Sequence, residues 1–381
     1  MITRLVIEGF KGFERLEIHR LSRVTLLGGR NNVGKTSILE ALFMFSDRLN
    51  PQMILRQFAW RGIETVSLDP ESMWAPVFYD YDLKKSMTIS AVVDGRKEKM
   101  TVRFNSQYIP ALIPANIKEH GMKPAQIRTD QKPEASYALD IVYEHKNKKT
   151  EKQTVHLVMG VGGLGIHVDG NPKIKLFPAT FLGARIPANP QEEAQRLGQL
   201  DIHGKQEEIV DFLKIIEPNL TSLSTVTMPV MADIPLASGD IGLSRKITVP
   251  YSLIYGDIGL SRKIPVAYMG DGVSRLLSII LAIATSKGGI VLIDECENGI
   301  HYSAMPKIWE AIAKAAGRYE CQVIGTTHSY ECLEAAHDGI SGELSDNFSY
   351  IRIDRTGGKI TAKCLDHELL RTAIKTGMEV R

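Results

Sequence analysis

One eight-residue segment near the start of the chain limits the fold more than any other: it fits G-x-x-x-x-G-K-[ST] and reads GRNNVGKT, residues 29–36. Residues 23–27 before it form a short apolar, β-branched run that is typical of a buried strand. From Ser37 onward, apolar residues recur with helical spacing, at Ile38, Leu39, Leu42 and Phe45. Because this motif requires a strand before the glycine loop and a helix after it, we predict a phosphate-binding loop in an α/β fold.

The residue types of this segment suit the binding of a nucleotide. Glycines let backbone N–H groups turn toward phosphate oxygens, and the N-terminus of the following helix adds partial positive charge. We expect Lys35 to reach the β- and γ-phosphates and Thr36 to give its hydroxyl to Mg²⁺. The predicted phosphate ligands are Gly29, Arg30, Asn31, Asn32, Val33, Gly34, Lys35, Thr36, Ser37 and, from an earlier turn, Lys11. A glycine-rich turn before an ordinary helix is the alternative, and the correct flanks on both sides argue against it.

The composition is that of an ordinary globular protein: of 381 residues, 44% are hydrophobic and 24% are charged. This length allows one large domain with a smaller insertion, or two domains. The net charge of +2 gives no global field that would mark nucleic acid or membrane as the partner. No apolar run approaches the ~18 residues of a membrane-spanning helix, and the first residues resemble a strand rather than a signal peptide. The four cysteines lack paired spacing, which argues against zinc. We therefore expect a cytoplasmic protein.

A second group of motif residues follows two apolar runs in the last third of the chain. Residues 291–293 lead into Asp294 and Glu295, a pattern that places an acid near Mg²⁺ downstream of a phosphate loop. We assign Asp294 to the metal and Glu295 to the attacking water, which it would orient or deprotonate. Residues 322–327 form another predicted strand, which ends beside His328. Taken alone, His328 would more often be a structural histidine, but in this order of motifs we expect it to contact the γ-phosphate or position the water.

A glycine-rich segment at residues 269–275 precedes a helical run, and Asp271 is expected to cap that helix. The helix N-terminus is a second place where an anion can bind. A single phosphate-loop core does not need this helix N-terminus to bind its own nucleotide. We therefore expect the helix N-terminus to face the γ-phosphate of a nucleotide bound to a partner subunit. The residues predicted for this contact between subunits are Gly270, Asp271, Gly272, Ser274 and Arg275.

The middle of the chain is rich in strand patterns joined by polar turns, which predict an antiparallel region. The patterns are at residues 87–93, 100–104, 137–143 and 154–159. Residues 145–149 are either a solvated hairpin tip or a contact to a DNA backbone. Residues 160–165 fit G-x-G-x-x-G, but a strand is expected after them where a dinucleotide site needs a helix, so we reject that site.

A helical pattern and an internal duplication follow. Residues 189–218 have helical spacing, with Asn189 as the expected N-cap. The sequence GDIGLSRKI occurs at residues 239–247 and again at 256–264. Each copy has a Gly-Asp turn before an alternating run, which predicts a pair of strands. The basic side chains of the two copies are either a ligand-binding edge or a solvated surface; they are Arg245, Lys246, Arg262 and Lys263.

The order of these motifs resembles that of ABC-type ATPases, and most closely the branch that contains SMC proteins, RecF and the OLD-like ATPases. The likeness covers about residues 1–50 and 265–335. It is carried by an opening strand and turn, the phosphate loop, the signature motif, the Walker B and D-loop, and the switch histidine, at residues 3–13, 31–36, 270–272, 294–301 and 326–329. In that branch the second asparagine of the loop, here Asn32, approaches the γ-phosphate.

The chain departs from the family pattern in four places. Its signature lacks the serine-glycine-glycine of transporter ATPases, so that serine's role falls to Asp271, to Ser274 or to no residue. The candidates for the Q-loop are Gln57 and Gln191. No heptad run joins the two halves, so the coiled-coil arms of SMC proteins are not expected. About fifty residues follow His328, too few for the Toprim nuclease domain of OLD proteins, so any nuclease is expected on a separate chain.

The resemblance implies an ATP- and Mg²⁺-dependent enzyme in which two subunits join head to tail around ATP and separate after hydrolysis. It also implies a partner effector, such as a nuclease, and a role in bacterial anti-phage defence. A RecF-like DNA-binding repair ATPase is the alternative. A non-catalytic scaffold is a third hypothesis, and Glu295 argues against it because a scaffold needs no base.

The expected domain organisation follows the two halves of the resemblance. An ATPase lobe with the phosphate loop is expected first, then an inserted β-rich region, then a helical segment with a β-hairpin, and last a lobe with the signature, Walker B and switch histidine. The expected boundaries are residues 1–50, 51–180, 181–265 and 266–381.

Overall fold

The structure is a computed structural model that describes residues 1–63, 70–108, 136–145, 149–160, 163–184, 189–235 and 244–376. Its strands are β1 (Ile2–Phe10), β2 (Phe13–Ile18), β3 (Val24–Gly28), β4 (Met87–Val93), β5 (Arg96–Tyr108), β6 (Ser136–His145), β7 (Glu151–Gly160), β8 (Gly163–Asp169), β9 (Ala179–Leu182), β10 (Ser222–Pro235), β11 (Ser244–Asp257), β12 (Ile264–Pro265), β13 (Ile290–Ile293), β14 (Gln322–Thr326), β15 (Phe348–Thr356) and β16 (Lys359–Leu365). Its helices are α1 (Lys35–Ser46), α2 (Arg56–Trp60), α3 (Pro70–Trp74), α4 (Pro190–Ile202), α5 (Gln206–Leu213), α6 (Asp271–Thr285), α7 (Met305–Arg318), α8 (Tyr330–Gly339) and α9 (His367–Lys375).

A six-stranded sheet with the order β16-β15-β3-β14-β13-β9 forms the centre of the molecule. All its pairs are parallel except that of β15 with β16. Side chains of β13 alternate between two cores, with Val291 and Ile293 in one and Leu292 in the other. Burial on both faces explains why β3 and β13 are continuous apolar runs rather than alternating ones.

A seven-stranded antiparallel sheet with the order β2-β1-β4-β5-β6-β7-β8 lies beside α1. It contains the four strands predicted between residues 87 and 159, which are therefore confirmed. The strand expected after the G-x-G-x-x-G segment is β8, so the rejection of a dinucleotide helix there is also confirmed. These strands continue the sheet begun by β1 and β2. Residues 146–148 of the predicted hairpin tip lie outside the described residues.

The two sheets are joined through a buried amide. Gln322 Nε2 donates to the carbonyl oxygens of Ile2 (2.8 Å) and Ser22 (3.0 Å), and Gln322 Oε1 accepts from Ile2 N–H at 2.9 Å. The start of β14 in one sheet is thereby fixed to the start of β1 in the other. Buried polar groups are stable when each finds a partner, and this amide satisfies main-chain groups of β1 and of the loop that precedes β3.

Helices α6, α7 and α8 contribute to the core on the other face of the parallel sheet. The helical pattern predicted after Asn189 is confirmed as two helices, α4 and α5, that are separated by a turn at Gly204 with φ 67°. Asn189 caps α4 as expected, since its side chain accepts from Gln191 N–H at 3.1 Å. Of the helices in the described ranges, none is both long and apolar enough to cross a membrane.

The prediction that the two GDIGLSRKI copies form a strand pair is wrong. The first copy enters β11, which pairs with β10, and residues 239–243 of that copy lie outside the described residues. In the second copy the strand ends at Asp257, whose Oδ1 accepts from Gly259 N–H at 3.0 Å, and Gly259 has φ 81°. This local turn takes the backbone out of the strand, and only Ile264 and Pro265 return to it as β12.

These features make an α/β P-loop fold with an antiparallel β region and a helical part that carries the signature segment. This is the fold class that the resemblance to ABC-type ATPases implied.

Candidate active site

Three loops meet at one edge of the parallel sheet because β3, β14 and β13 are parallel neighbours. The phosphate loop follows β3, residues 327–328 follow β14, and Asp294 and Glu295 follow β13. Ligands of open α/β sheets bind outside the carboxyl ends of the strands. The sheet order therefore brings together the motifs that the sequence keeps about 260 to 300 residues apart.

The phosphate loop has backbone angles that favour glycine at two positions. Gly29 has φ 132° and Gly34 has φ 97°. A Cβ at Gly29 would collide with the Ile353 carbonyl oxygen, and one at Gly34 would lie 2.7 Å from the Phe13 ring. Asn32 also has a positive φ, 61°. The loop thus has a left-handed path that both glycines permit and that side chains at these positions would block.

Arg30, Asn31 and Asn32 are exposed at the tip of this loop, while Val33 is buried. Together with β15 they line a cavity of about 400 Å³. Ser37 lies in the first turn of α1, partly exposed. The tip of the loop is therefore open to solvent.

Lys35 folds back over the loop. Its Nζ donates to the carbonyl oxygens of Gly29 (2.6 Å) and Arg30 (2.9 Å). Burial lowers the pKa of Lys35, and the nearby carboxylates of Glu297, Asp294 and Glu295 oppose that shift. The ammonium group is thus held by two loop carbonyls and interacts electrostatically with three acids.

Asp294 joins the phosphate loop to the strand β14. Its Oδ1 accepts hydrogen bonds from the hydroxyls of Thr36 (2.9 Å) and Thr326 (2.7 Å). Burial raises the pKa of Asp294, while the two hydroxyl donors act in the opposite direction. A hydroxyl and a carboxylate oxygen at this separation are hard oxygen donors, which are the ligands that Mg²⁺ prefers.

Glu295 adopts a left-handed backbone conformation with φ 48°. Its N–H donates to Thr326 Oγ1 at 2.9 Å, and its Oε2 accepts from Asn298 Nδ2 at 2.8 Å. Non-glycine residues rarely adopt such angles, and they persist where surrounding contacts enforce them. Thr326 and Asn298 supply those contacts. Sequence reasoning assigned no role to either residue, although both lie within motif segments.

His328 contacts a carboxylate of the D-loop segment. Its Nδ1 lies 3.0 Å from Glu297 Oε1, and its backbone N–H donates to the same oxygen at 3.0 Å. The His328 side chain is 48% exposed, whereas that of Glu297 is 9% exposed. Within the described structure, Glu297 Oε2 is buried without a hydrogen-bond partner. Glu297 therefore sets the present orientation of the histidine.

A buried acid in α1 explains where Lys11 points. Glu40 is fully buried and accepts from Lys11 Nζ at 2.6 Å and from Arg61 Nε at 2.8 Å. The positive charge of Arg61 also partly opposes the rise that burial causes in the pKa of Asp294. Lys11, predicted to bind phosphate, is thus engaged by Glu40. The signal that points to Glu40 is a single charge within the apolar run of α1, and sequence reasoning overlooked it.

The signature segment begins α6, and Gly270, not Asp271, is its N-cap. Gly270 has φ 109°, and Asp271 is the first helical residue without a capping hydrogen bond, so the predicted cap is wrong. The reason is that glycine adopts this backbone conformation at little cost. Ser274 Oγ donates to Val266 O at 3.2 Å. Arg275 Nη2 donates to Asp294 O at 3.5 Å within the same chain.

The two glutamines considered for the Q-loop differ in burial. Gln57 in α2 is 2% exposed, and its Nε2 has no hydrogen-bond partner among the residues that the structure describes. Gln191 is exposed in the first turn of α4. A buried amide without a partner is unusual, which favours Gln57 as the residue that would respond to a ligand.

Comparison with known proteins decides the family. A family model described as "AAA domain, putative AbiEii toxin, Type IV TA system" matches residues 24–334. The chain belongs to this AAA-domain family. The matched range of the AAA domain runs from β3 to α8, so it contains the phosphate loop, Asp294, Glu295 and His328.

The chain is similar to a Helicobacter pylori protein named "ATP/GTP phosphatase", at 24% identity over 349 residues, which cover 88% of this chain and 87% of that protein. An uncharacterised protein of Methanocaldococcus jannaschii is 29% identical over 119 residues, which cover 30% of this chain and 99% of that protein. Among solved structures, an SMC head bound to the C-winged helix domain of ScpA aligns with a TM-score of 0.47 at 11% identity, covering 98% of this chain and 99% of that one.

Proposed function

We propose that this AAA domain binds ATP with Mg²⁺ in the cytoplasm and hydrolyses the β–γ phosphate bond. One observation carries the proposal: Asp294 Oδ1 accepts hydroxyl hydrogen bonds from both Thr36 in the phosphate loop and Thr326 at the end of β14. The name of the Helicobacter pylori relative, "ATP/GTP phosphatase", supports the same chemistry.

Each residue of the site has a distinct role in this proposal. Backbone N–H groups of residues 29–36 and the ammonium of Lys35 bind the β- and γ-phosphates. Thr36 and Asp294 would hold Mg²⁺, which supplies positive charge against the phosphate oxygens when bound. The Glu295 carboxylate orients the attacking water and accepts its proton, while Asn298 fixes that carboxylate.

Two contacts must change before this chemistry can occur. Lys35 Nζ has to leave the carbonyl oxygens of Gly29 and Arg30, and His328 has to turn from Glu297 toward the γ-phosphate. Both side chains are held by oxygen acceptors, and the phosphate oxygens of ATP could accept the same hydrogen bonds instead. On ATP binding, Lys35 and His328 would thus exchange contacts within the protein for contacts with the phosphates.

We further propose that two copies close head to tail, with the start of α6 of one copy facing the nucleotide of the other. Gly270 and Asp271 are exposed, and a Cβ built at Gly272 has no described atom within 4 Å apart from its chain neighbours and the nearby backbone of its own helix. The first turn of α6 thus offers free backbone N–H groups to an approaching phosphate. Ser274 could follow them, whereas Arg275 is held against Asp294 in its own subunit.

The dimer would control a separate effector protein, such as a nuclease, in anti-phage defence. The family description, which names a putative toxin of a type IV toxin–antitoxin system, supports a partnership with another protein. This role would fail if the chain bound no protein partner and if its loss left phage sensitivity unchanged.

A RecF-like DNA-binding ATPase is a second candidate, and one surface favours it. Exposed basic side chains line a cavity of about 570 Å³ beside the starts of β13 and β14, at the edge opposite the phosphate loop. They are Arg96, Lys97, Lys173 and Lys175. Contacts from such side chains to DNA phosphates would make binding steeply dependent on salt.

The deciding experiment measures ATP turnover and native mass for the parent and for Glu295→Gln. We expect Glu295→Gln to bind ATP, to hydrolyse it at least about 100-fold more slowly, and to accumulate as a dimer with Mg-ATP. Lys35→Ala should lose nucleotide affinity, and Glu334→Gln, on the exposed side of α8, is the matched control. Hydrolysis by Glu295→Gln at the parent rate would show that Glu295 is not the base. Normal biological function of a Glu295→Gln protein that does not hydrolyse ATP would instead support the scaffold hypothesis. A mass increase that requires duplex DNA would favour the RecF-like function.

A further inference from the structure

Two histidines and an aspartate meet on the β7–β8 hairpin, at the edge of the antiparallel sheet. His156 on β7 pairs directly with His167 on β8, with ring centroids 5.1 Å apart. Asp169 follows His167 by two residues, so it lies on the same face of the sheet. One ligand atom from each of the three residues lies within 4.8 Å of the other two.

The imidazole nitrogens that face the carboxylate lack hydrogen bonds to the residues that the structure describes. His156 Nδ1 is 3.7 Å from Asp169 Oδ2, and His167 Nδ1 is 3.8 Å from Asp169 Oδ1. Both nitrogens are buried, and neither has a hydrogen-bond partner in the described part of the chain. The His156 side chain is only 3% exposed. Buried polar atoms normally have a partner, so this arrangement requires an explanation.

An ordinary core histidine does not account for the group. A core histidine would donate its N–H to a carbonyl or carboxylate at about 2.7–3.2 Å, which is closer than either ring is to Asp169. Burial lowers the pKa of His156, and the neighbouring His167 lowers it further. The neutral imidazole is the form that binds metal ions.

We propose that His156, His167 and Asp169 bind a divalent first-row transition metal ion of the Zn²⁺ type. Two imidazoles and one carboxylate suit such ions, whereas Mg²⁺ and Ca²⁺ take oxygen ligands. This site uses none of the cysteines, whose spacing argued against zinc. It is also separate from the Mg²⁺ ligands Thr36 and Asp294, which follow strands of the other sheet.

The geometry needs only a small adjustment. Ligand atoms about 2.0–2.2 Å from a tetrahedral zinc ion lie roughly 3.3–3.5 Å from one another. His167 and Asp169 are 41% and 40% exposed, so their side chains have room to close the remaining distance. His156 supplies the fixed ligand. Three protein ligands would leave one position of the ion for water, and the ion would connect the last two strands of the sheet.

The test is titration of ZnCl₂ into the full-length, tag-free protein after removal of metals with EDTA, followed by calorimetry. We expect one Zn²⁺ site that excess MgCl₂ does not displace, and a rise in thermal midpoint on Zn²⁺ binding. His167→Ala and Asp169→Asn should each weaken Zn²⁺ binding at least about tenfold, because each removes one ligand. Both residues are partly exposed, so these variants should fold.

His203→Ala is the matched control, because His203 is an exposed histidine at the end of α4. It should bind Zn²⁺ as the parent does. Adding His156→Ala to the series tests the buried ligand, with circular dichroism to check folding. Absence of Zn²⁺ binding by the folded parent would overturn the proposal. Binding that is equally strong in His167→Ala and Asp169→Asn would overturn it as well.

Discussion

The hydroxyl of Thr326 donates a 2.7 Å hydrogen bond to Asp294 Oδ1. The same Thr326 oxygen accepts the N–H of Glu295 at 2.9 Å. The uncharged side chain of Thr326 thus fixes the positions of Asp294, the proposed metal ligand, and Glu295, the proposed base, relative to each other. It also binds the ends of two neighbouring strands to each other beside the phosphate loop.

Replacement of Thr326 by valine should therefore reduce ATP turnover without a change in side-chain shape. Hydrogen bonds to charged groups contribute about 1.5–3 kcal/mol, so we expect turnover to fall about 10- to 100-fold. Thr326→Ser keeps the hydroxyl and should retain most of the activity. Steady-state phosphate release from the three proteins is the measurement. Equal loss in the valine and serine variants would show that the methyl group, not the hydroxyl, matters.

His328 and Glu297 should behave as one functional unit, because Glu297 Oε1 accepts the backbone N–H of His328 at 3.0 Å and so positions the residue whose ring turns to the γ-phosphate. We expect His328→Ala and Glu297→Ala each to lower kcat by about 10- to 100-fold. The double variant should lose little more than the worse single variant, since residues in contact are not additive. The measurement is ATP turnover of the parent, the two single variants and the double variant, which together form a double-mutant cycle. Glu334→Ala is the surface control. If the losses in kcat were additive, His328 and Glu297 would act independently, and the prediction would be wrong.

Asp294 should make the protein less stable as the pH rises. Burial raises the pKa of Asp294 in the folded state, so the folded state binds that proton more tightly than the unfolded state. The associated stability is present at low pH and is lost as the pH rises through the folded-state pKa. Asp294→Asn stays neutral and still offers Oδ1 to Thr36 and Thr326. We expect it to have a higher thermal midpoint than the parent at pH 7–8, and to be inactive.

Thermal midpoints between pH 4 and pH 8 test this expectation. The difference between Asp294→Asn and the parent should shrink as the pH falls, because the parent then carries the proton itself. Asp346→Asn changes an exposed aspartate and should follow the parent at every pH. A lower midpoint for Asp294→Asn at pH 8 would contradict the sign of the effect.

Gly272→Asp should separate ATP binding from dimer closure. A Cβ at Gly272 would meet no described atom within 4 Å apart from its chain neighbours and the nearby backbone of its own helix, and an acid in the first turn suits the helix dipole. We therefore expect normal folding and nucleotide affinity, no ATP-dependent dimer, and loss of turnover. Gly198→Asp adds the same charge at another open helical glycine in α4 and should dimerise. Dimerisation of Gly272→Asp to the parent level would place the signature segment outside the interface.

Local patterns predicted β3, α1, β13 and β14 because their causes are local: a glycine motif, continuous apolar runs and helical spacing. The predicted β strands between residues 87 and 159 were correct for the same reason. The roles of Lys35, Asp294, Glu295 and His328 remain predictions that the variants above would test.

The features that the sequence did not predict depend on which distant strands become neighbours. Thr326 gains its importance only because β14 lies between β3 and β13. His156 and His167 are eleven residues apart in the chain and meet only through the register of β7 with β8. The turn at Asp257 was missed for a different reason: the alternating pattern after it favoured a strand, while a short acidic side chain and Gly259 favoured a turn.

The position of β3 between β14 and β15 has a consequence for synthesis of the protein on the ribosome. Gln322, which fixes β1, lies 320 residues after Ile2, and both neighbours of β3 are translated after α7. Such non-local pairing has to wait for the late strands. A nascent chain that stops before β14 therefore lacks both strands that pair with β3, the strand from which the phosphate loop begins. We therefore expect products truncated before β14 not to hydrolyse ATP.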